Sequence, residues 1–142
     1  MKKLIGYTTG VFDMFHVGHL SILKQAKNNC DYLIVGVSTD ELVKSYKKKV
    51  PIIPFEERKR IVESIKYVDK VVVQSHRDKL KAFHEIGFDI MFVGDDWKGS
   101  EIFSKLEKSL NLEGAKVFYF PYTKGISSTK LRERIKELYE NK

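Results

Sequence analysis

The sequence predicts a single-domain α/β protein, residues 1–142, with a mainly parallel five-stranded sheet covered by helices on both faces. Three observations predict it. Short runs rich in Val, Ile and Tyr alternate with amphipathic helical stretches along the whole chain, the pattern of repeated βαβ units. Polar motifs follow the strand ends, and in such sheets the ligand sits beyond the carboxyl ends of the strands. A chain of 142 residues also suits one core, and no internal repeat, low-complexity tract or linker divides it.

The elements follow in order. Leu4–Thr8 is a short apolar strand. In the next segment, His19–Asn28, Leu20, Ile22, Leu23 and Ala26 give a helical apolar face. Tyr32–Ser38 is the second strand, followed by a stretch carrying Lys44, Lys47, Lys48 and Lys49, read as a loop. Phe55–Ser64 is a helix, with Ile61, Val62 and Ile65 expected to face inward. Strands at Lys70–Val73, Ile90–Gly94 and Ala115–Phe120 then alternate with helices at Lys79–Ile86, Ser100–Leu110 and Ser128–Tyr139.

Composition narrows the function. No run of 18 apolar residues is present, and Met1-Lys-Lys leads straight into a strand, so membrane insertion and a signal segment are not expected. The expected location is the cytoplasm. Cys30 is the single cysteine, which excludes an internal disulfide and a thiolate zinc cluster. The net charge is +7, from 26 Lys and Arg against 19 Asp and Glu. No RNA-binding aromatic signature accompanies the one dense lysine cluster, so phosphate chemistry explains the excess better than nucleic acid does.

The most informative segment is Gly10-Val-Phe-Asp-Met-Phe-His16-Val-Gly-His19, where the first strand turns into the first helix. Free backbone N–H groups and the positive dipole end at a helix N-terminus favour an anion such as phosphate. Imidazole donors there can stabilise charge that grows as a phosphoanhydride breaks. Taken alone, the pair is equally compatible with two unrelated surface histidines or half of a metal site.

Other motifs narrow the choice. Arg58 lies in Phe55-Glu-Glu-Arg-Lys-Arg, ahead of Ile65-Lys-Tyr-Val-Asp-Lys-Val71. Gly94-Asp95-Asp96-Trp97 ends a buried strand, and its adjacent acids suit capping as well as a ligand. Thr123-Lys-Gly-Ile-Ser-Ser-Thr129 precedes the last helix. Its Ser and Thr suit an ordinary N-cap, which can itself supply an anion site.

With the His-x-Gly-His segment, these three stretches resemble, in order and spacing, the nucleotidyltransferase superfamily. Within it they are most similar to the small bacterial cytidylyltransferases that act on glycerol 3-phosphate. The resemblance spans residues 6–132 and implies a Rossmann-like, doubly wound fold. It also implies transfer of CMP from CTP to a phosphorylated small alcohol, with Mg²⁺ bound to the triphosphate and no dedicated metal ligands on the protein. His16, His19, Lys47 and Arg58 take the catalytic positions. Gly10, Val11, Phe12, Asp95, Gly125, Ile126, Ser127, Ser128 and Arg132 join the histidines around the nucleotide. Asp13, Lys47, Lys49, Arg58 and Trp97 face the acceptor. The Lys66-Tyr-Val-Asp-Lys-Val stretch resembles a dimer-forming segment, so a homodimer is expected.

Two departures bear on substrate. The cytidylyltransferases usually read Arg-Thr-x-Gly-Ile-Ser-Thr-Thr, and here Tyr122 stands where that arginine belongs. Arg132 gives instead Ile-Ser-Ser-Thr-x-x-Arg, a form shared with adenylyl-transferring relatives. Val11 replaces a threonine common in relatives and removes a hydroxyl. Phosphocholine, phosphoethanolamine and polyol phosphates remain alternative acceptors, and ATP an alternative donor. A non-catalytic nucleotide- or nucleic-acid-binding module is the rival from another class.

Overall fold

The computed structural model describes residues 3–94, 98–121 and 128–140, the last segment by backbone alone at 128 and 129. The described residues form five strands: β1 (Ile5–Gly10), β2 (Tyr32–Ser38), β3 (Lys70–Gln74), β4 (Ile90–Gly94) and β5 (Lys116–Phe120). All pairings are parallel, and the order across the sheet is β3-β2-β1-β4-β5. Strand order therefore reverses beside β1, the switch at which such sheets bind ligands.

Among the described residues five helices connect the strands, α1 (Val17–Asn28), α2 (Asp40–Lys47), α3 (Phe55–Glu63), α4 (Lys79–Ile86) and α5 (Glu101–Leu112), and α6 (Ser128–Glu140) follows β5. The two faces of the sheet carry separate cores. Leu33, Val35 and Val37 of β2 pack with Leu23 and Ala26 of α1, Val62 of α3, Phe92 and Phe120. Alternate residues face the other way. Tyr7 and Ile34 pack with Ala82 of α4, Met91, and Phe103 and Leu110 of α5. Burial on both faces explains why β2 reads as an almost continuous apolar run.

Three expectations need correction. The lysine stretch is not all loop: Thr39 caps α2 by accepting the Leu42 N–H, and Lys44 and Lys47 lie in its last turn. Lys48 then ends the helix in the left-handed region, at φ 56°. A helix of only 8 residues, polar over most of its surface, leaves little periodic apolar signal to find. Ile61 and Ile22 are also exposed rather than inward, because Val62 and Leu23 occupy the seam against the sheet.

The switch point has a distinctive geometry. β1 pairs with β2 over six residues, Ile5 to Gly10, but with β4 only at Gly6 and Tyr7. Beyond Tyr7 the ladder stops, and the Thr8 hydroxyl, not a backbone amide, donates to the Phe92 carbonyl at 3.1 Å. The crevice thus opens toward the carboxyl ends of β1 and β4.

Candidate active site

The β1–α1 connection is tightly built. Phe12 and Met14 both adopt positive φ, 55° and 49°, an uncommon conformation for side-chain-bearing residues. A Cβ at Gly10 would lie 2.9 Å from the Phe12 ring, so only glycine lets the strand end close against it. Phe12 is buried in the core.

His16 is the N-cap of α1, and His19 occupies the third position of the first turn. The Gly18 N–H donates to His16 Nδ1 at 3.1 Å, and the His16 N–H donates to His19 Nδ1 at 3.2 Å. This is a capping box made of two imidazoles, one side chain satisfying each orphan amide. Because each Nδ1 accepts, the neutral ring carries its proton on Nε2. The rings stack with centroids 3.8 Å apart. Burial lowers His16, and burial together with His16 lowers His19 to about 4, with Asp13 opposing. Phe12 and Phe15 supply that burial, with centroids 5.4 Å and 5.2 Å from His19. Both histidines are therefore neutral Nε2–H donors at neutral pH. His16 Nε2 is also buried and has no hydrogen-bond partner among the described residues. An unpaired buried donor costs on the order of 1–3 kcal/mol, which an incoming oxygen would relieve.

Arg58, expected at the acceptor phosphate, has many partners within the protein. Its side chain is fully buried, and four of its five N–H donors are spent on the protein. Nε donates to the Ile53 carbonyl at 2.8 Å, and one terminal nitrogen to the Val11 and Ser38 carbonyls at 2.7 and 2.8 Å. The other terminal nitrogen donates to the Asp40 carboxylate at 2.6 Å. Arg58 thus fastens the β1–α1 connection, the end of β2 and the start of α2 together. Sequence periodicity cannot show this, because all four partners are remote or are backbone carbonyls.

Asp13 is likewise engaged, at 2% exposure. Its two oxygens accept the Ile52 and Ile53 N–H groups, each at 2.9 Å, and it pairs with Arg132 of α6. Burial alone would raise its carboxyl, but these donors hold it below the ordinary range. Asp13 ties three segments together. Arg132 does reach the His-x-Gly-His side of the protein, where its charge is felt by Lys47.

Lys47 is exposed at the end of α2, and partial desolvation, then Lys49 and Arg132, lower its ammonium from the ordinary value. Lys49 follows in the connection to α3. Val11 contributes its carbonyl to Arg58. The expectations for Asp95, Trp97, Gly125, Ile126, Ser127 and the Ser128 side chain lie outside the described residues. Sequence reasoning also passed over Arg77 and Lys79, which follow β3. The strand-end rule flags that connection too, but no recognised motif marks it.

Residues 7–134 match the family model described as Cytidylyltransferase-like. The chain belongs to the cytidylyltransferase-like family. It is 40% identical to the glycerol-3-phosphate cytidylyltransferase of Bacillus subtilis, over 95% of this chain and 98% of that protein. It is also 37% identical to the FAD synthase of Archaeoglobus fulgidus, over 92% of this chain and 96% of that one. Among solved structures it resembles the lipopolysaccharide core biosynthesis protein of Thermoplasma volcanium, with TM-score 0.72 and 30% identity. That match covers 88% of this chain and all of the other.

Proposed function

We propose that this protein transfers CMP from CTP to glycerol 3-phosphate, giving CDP-glycerol and pyrophosphate. The observation that carries this reading is the pair of neutral Nε2–H donors at the start of α1, one of them buried and without a partner among the described residues. An acceptor phosphate oxygen attacks the α-phosphorus, the bond to the bridging oxygen breaks, and pyrophosphate leaves. The attacking phosphate is already ionised, so no general base is required. Catalysis rests on alignment and on donors matched to developing charge.

His16 and His19 donate to the oxygens that gain charge. Lys47 bridges the phosphates of donor and acceptor, and Lys49 supports the acceptor. Backbone groups of Gly10, Val11 and Phe12 line the triphosphate. Ser127, Ser128 and the α6 N-terminus hold the leaving pyrophosphate, and Gly125 and Ile126 belong to the same nucleotide-binding set. Asp95 contacts the nucleoside, and Trp97 walls the acceptor. Arg58 and Asp13 act as positioning residues. Mg²⁺ enters on the triphosphate and neutralises part of its charge. The histidines are unsuited to hold it, because each Nδ1 already accepts a backbone N–H and each Nε2 carries a proton.

Arg132 and the likeness to a protein named FAD synthase support a second reading, AMP transfer from ATP. We also propose that the protein works as a cytoplasmic homodimer; Val50, Ile52 and Ile61 leave apolar side chains exposed around the α2–α3 connection. Among the described residues no helix is long and apolar enough to cross a membrane.

The test is pyrophosphate release with Mg²⁺ over a grid of CTP and ATP against glycerol 3-phosphate, phosphocholine, phosphoethanolamine and ribitol 5-phosphate. Release with CTP and glycerol 3-phosphate is expected. Release with ATP alone would replace the donor, and nucleotide binding without release under every pairing would overturn the enzymatic reading. Light scattering at twice the 16.5 kDa chain mass is expected for the dimer.

A further inference from the structure

A cavity of about 290 Å³ lies between β3 and α4, on the face of the sheet that carries Tyr7 and Ile34. Its floor is apolar, with Ile34 and Val72 from the sheet and Ala82 and Ile86 from α4. Tyr7 also lines it, at 2% exposure, its ring stacked on Phe88 with centroids 5.1 Å apart. The Tyr7 hydroxyl makes no hydrogen bond among the described residues. It reaches over β2, where a Cβ at Gly36 would lie 2.7 Å from it, so glycine makes room for this oxygen. A phenylalanine would stack on Phe88 equally well without it. A buried hydroxyl that lacks a partner costs free energy, which a bound donor or acceptor recovers.

One end of the cavity is negative. Glu85 of α4 lines it, and its charge, after burial, raises the Tyr7 phenol above its ordinary value, which places carboxylate and hydroxyl near each other. His76 Nε2 stands 3.6 Å from a Glu85 oxygen, beyond a good hydrogen bond, and its Nδ1 accepts the Asp78 N–H at 3.2 Å. The carboxylate therefore keeps acceptor sites for a ligand. Lys70 lines the far end, at the start of β3. The cavity is separate from the crevice at the strand ends. Lys79 Nζ donates to Thr9 Oγ1 at 3.0 Å, and Thr9 follows Tyr7 by two positions on the same face of β1. That bond stands between Tyr7 and the crevice.

We infer that this cavity is a binding site for a small primary amine with an apolar body, whose ammonium donates to the Glu85 carboxylate and the Tyr7 oxygen. The body of the ligand covers Ile34, Val72, Ala82 and Ile86. A carboxylate and a hydroxyl oxygen above an apolar floor select a cation, in a chain whose net charge of +7 otherwise draws anions. A neutral ligand leaves Glu85 unanswered, and an anionic one is repelled by it. The volume is at the low end for ligand pockets and limits the body to about one ring or one short branched chain. The site does not depend on the nucleotidyl-transfer reading above.

The test titrates 2-phenylethylamine into the full chain at neutral pH, beside 2-phenylethanol and phenylacetate, by calorimetry and by amide chemical shifts. The amine is expected to bind with Kd on the order of 1 mM or tighter. The alcohol is expected to bind at least about tenfold more weakly and the anion not at all. Shift changes are expected at Gly36, Val72, Ala82 and Ile86, which border the cavity or the Tyr7 hydroxyl. Tyr7→Phe keeps the stacked ring and removes only the hydroxyl, and Glu85→Gln alters a half-exposed side chain. Each is expected to weaken the amine about tenfold or more while unfolding at the parent's temperature. Glu85→Gln should also erase most of the preference for amine over alcohol. Absence of amine binding to the parent, equal binding of all three probes, or unchanged affinity in both variants would overturn the inference. Shifts centred instead on Gly18 and His19 would move the amine to the crevice and overturn it as well.

Discussion

At the scale of single residues, the protonation state of the two histidines decides how they act. Each Nδ1 is committed to a backbone amide, so neutral imidazoles carry their proton on Nε2. His16→Asn separates the two roles of that residue, since asparagine is a favoured N-cap but removes the Nε2 donor. Thermal stability is expected within about 1 kcal/mol of the parent, with kcat down on the order of 10²–10³ and nucleotide affinity nearly unchanged. Retained turnover would remove His16 from the chemistry. The same environment sets a pH dependence. The unfolded chain accepts a proton on His19 near pH 6.5, whereas the folded chain resists it down to about 4. Stability from this group is full above about 6.5, falls as pH drops from 6.5 toward 4, and is absent below. The loss is of order 3 kcal/mol at most, and His19→Gln should flatten that limb in urea titrations between pH 4 and 7. Arg58→Lys keeps a charge but loses the fork, leaving several buried carbonyls without donors. We expect about 2–4 kcal/mol of destabilisation in denaturant titrations. A variant of parental stability with only KM raised would instead return Arg58 to direct phosphate contact.

At the scale of elements, Asp13 holds together pieces that lie far apart in the chain. Its carboxylate joins the β1–α1 connection to Ile52 and Ile53 ahead of α3 and to Arg132 of α6. The backbone donors fix the connection that carries Val50 and Ile52, and the ion pair anchors the helix whose N-terminus is proposed to hold pyrophosphate. Asp13→Asn removes the charge and one acceptor while keeping the shape. Its expected cost is about 2–4 kcal/mol, since Arg132 is left partly buried without its counter-charge. Amide exchange should then quicken selectively in α6 and around residues 50–53. Uniform protection across the chain would show that Asp13 does not couple these elements. The same view explains α2, whose last turn brings Lys47 to the site while Tyr46 supports Arg77. A helix there fixes the direction of both residues, which a loop would not.

At the scale of the whole molecule, the switch in strand order brings the connections after β1 and β2 to one edge of the sheet, together with the connection after β3. Cations dominate that edge, in a chain of net charge +7. The potential should concentrate anionic substrates without adding to the chemical step. Raising salt from 50 to 500 mM is therefore expected to increase KM for both substrates several-fold and change kcat by less than about twofold. A fall in kcat at constant KM would place the electrostatic effect in the transition state instead.

The alternation of strands and helices, the single domain and the His-x-Gly-His segment were all legible in the amino-acid order. Local periodicity and turn residues set them, and these need only near neighbours in sequence. The short polar helix α2 was not legible, because its 8 residues bury little beyond Val43. Nor were the partners of Arg58 and Asp13, since a backbone carbonyl or amide some 40 residues away leaves no mark on residue type. Lys79 reads in sequence as the start of an ordinary helix, and only the crossover from β3 toward β4 carries it to Thr9. Sequence thus determined the strands, every helix but α2, and the class of chemistry the chain can perform. Tertiary structure decided which charged groups are spent on holding the protein together and which stay free for a ligand, because that depends on desolvation and on contacts made across the fold.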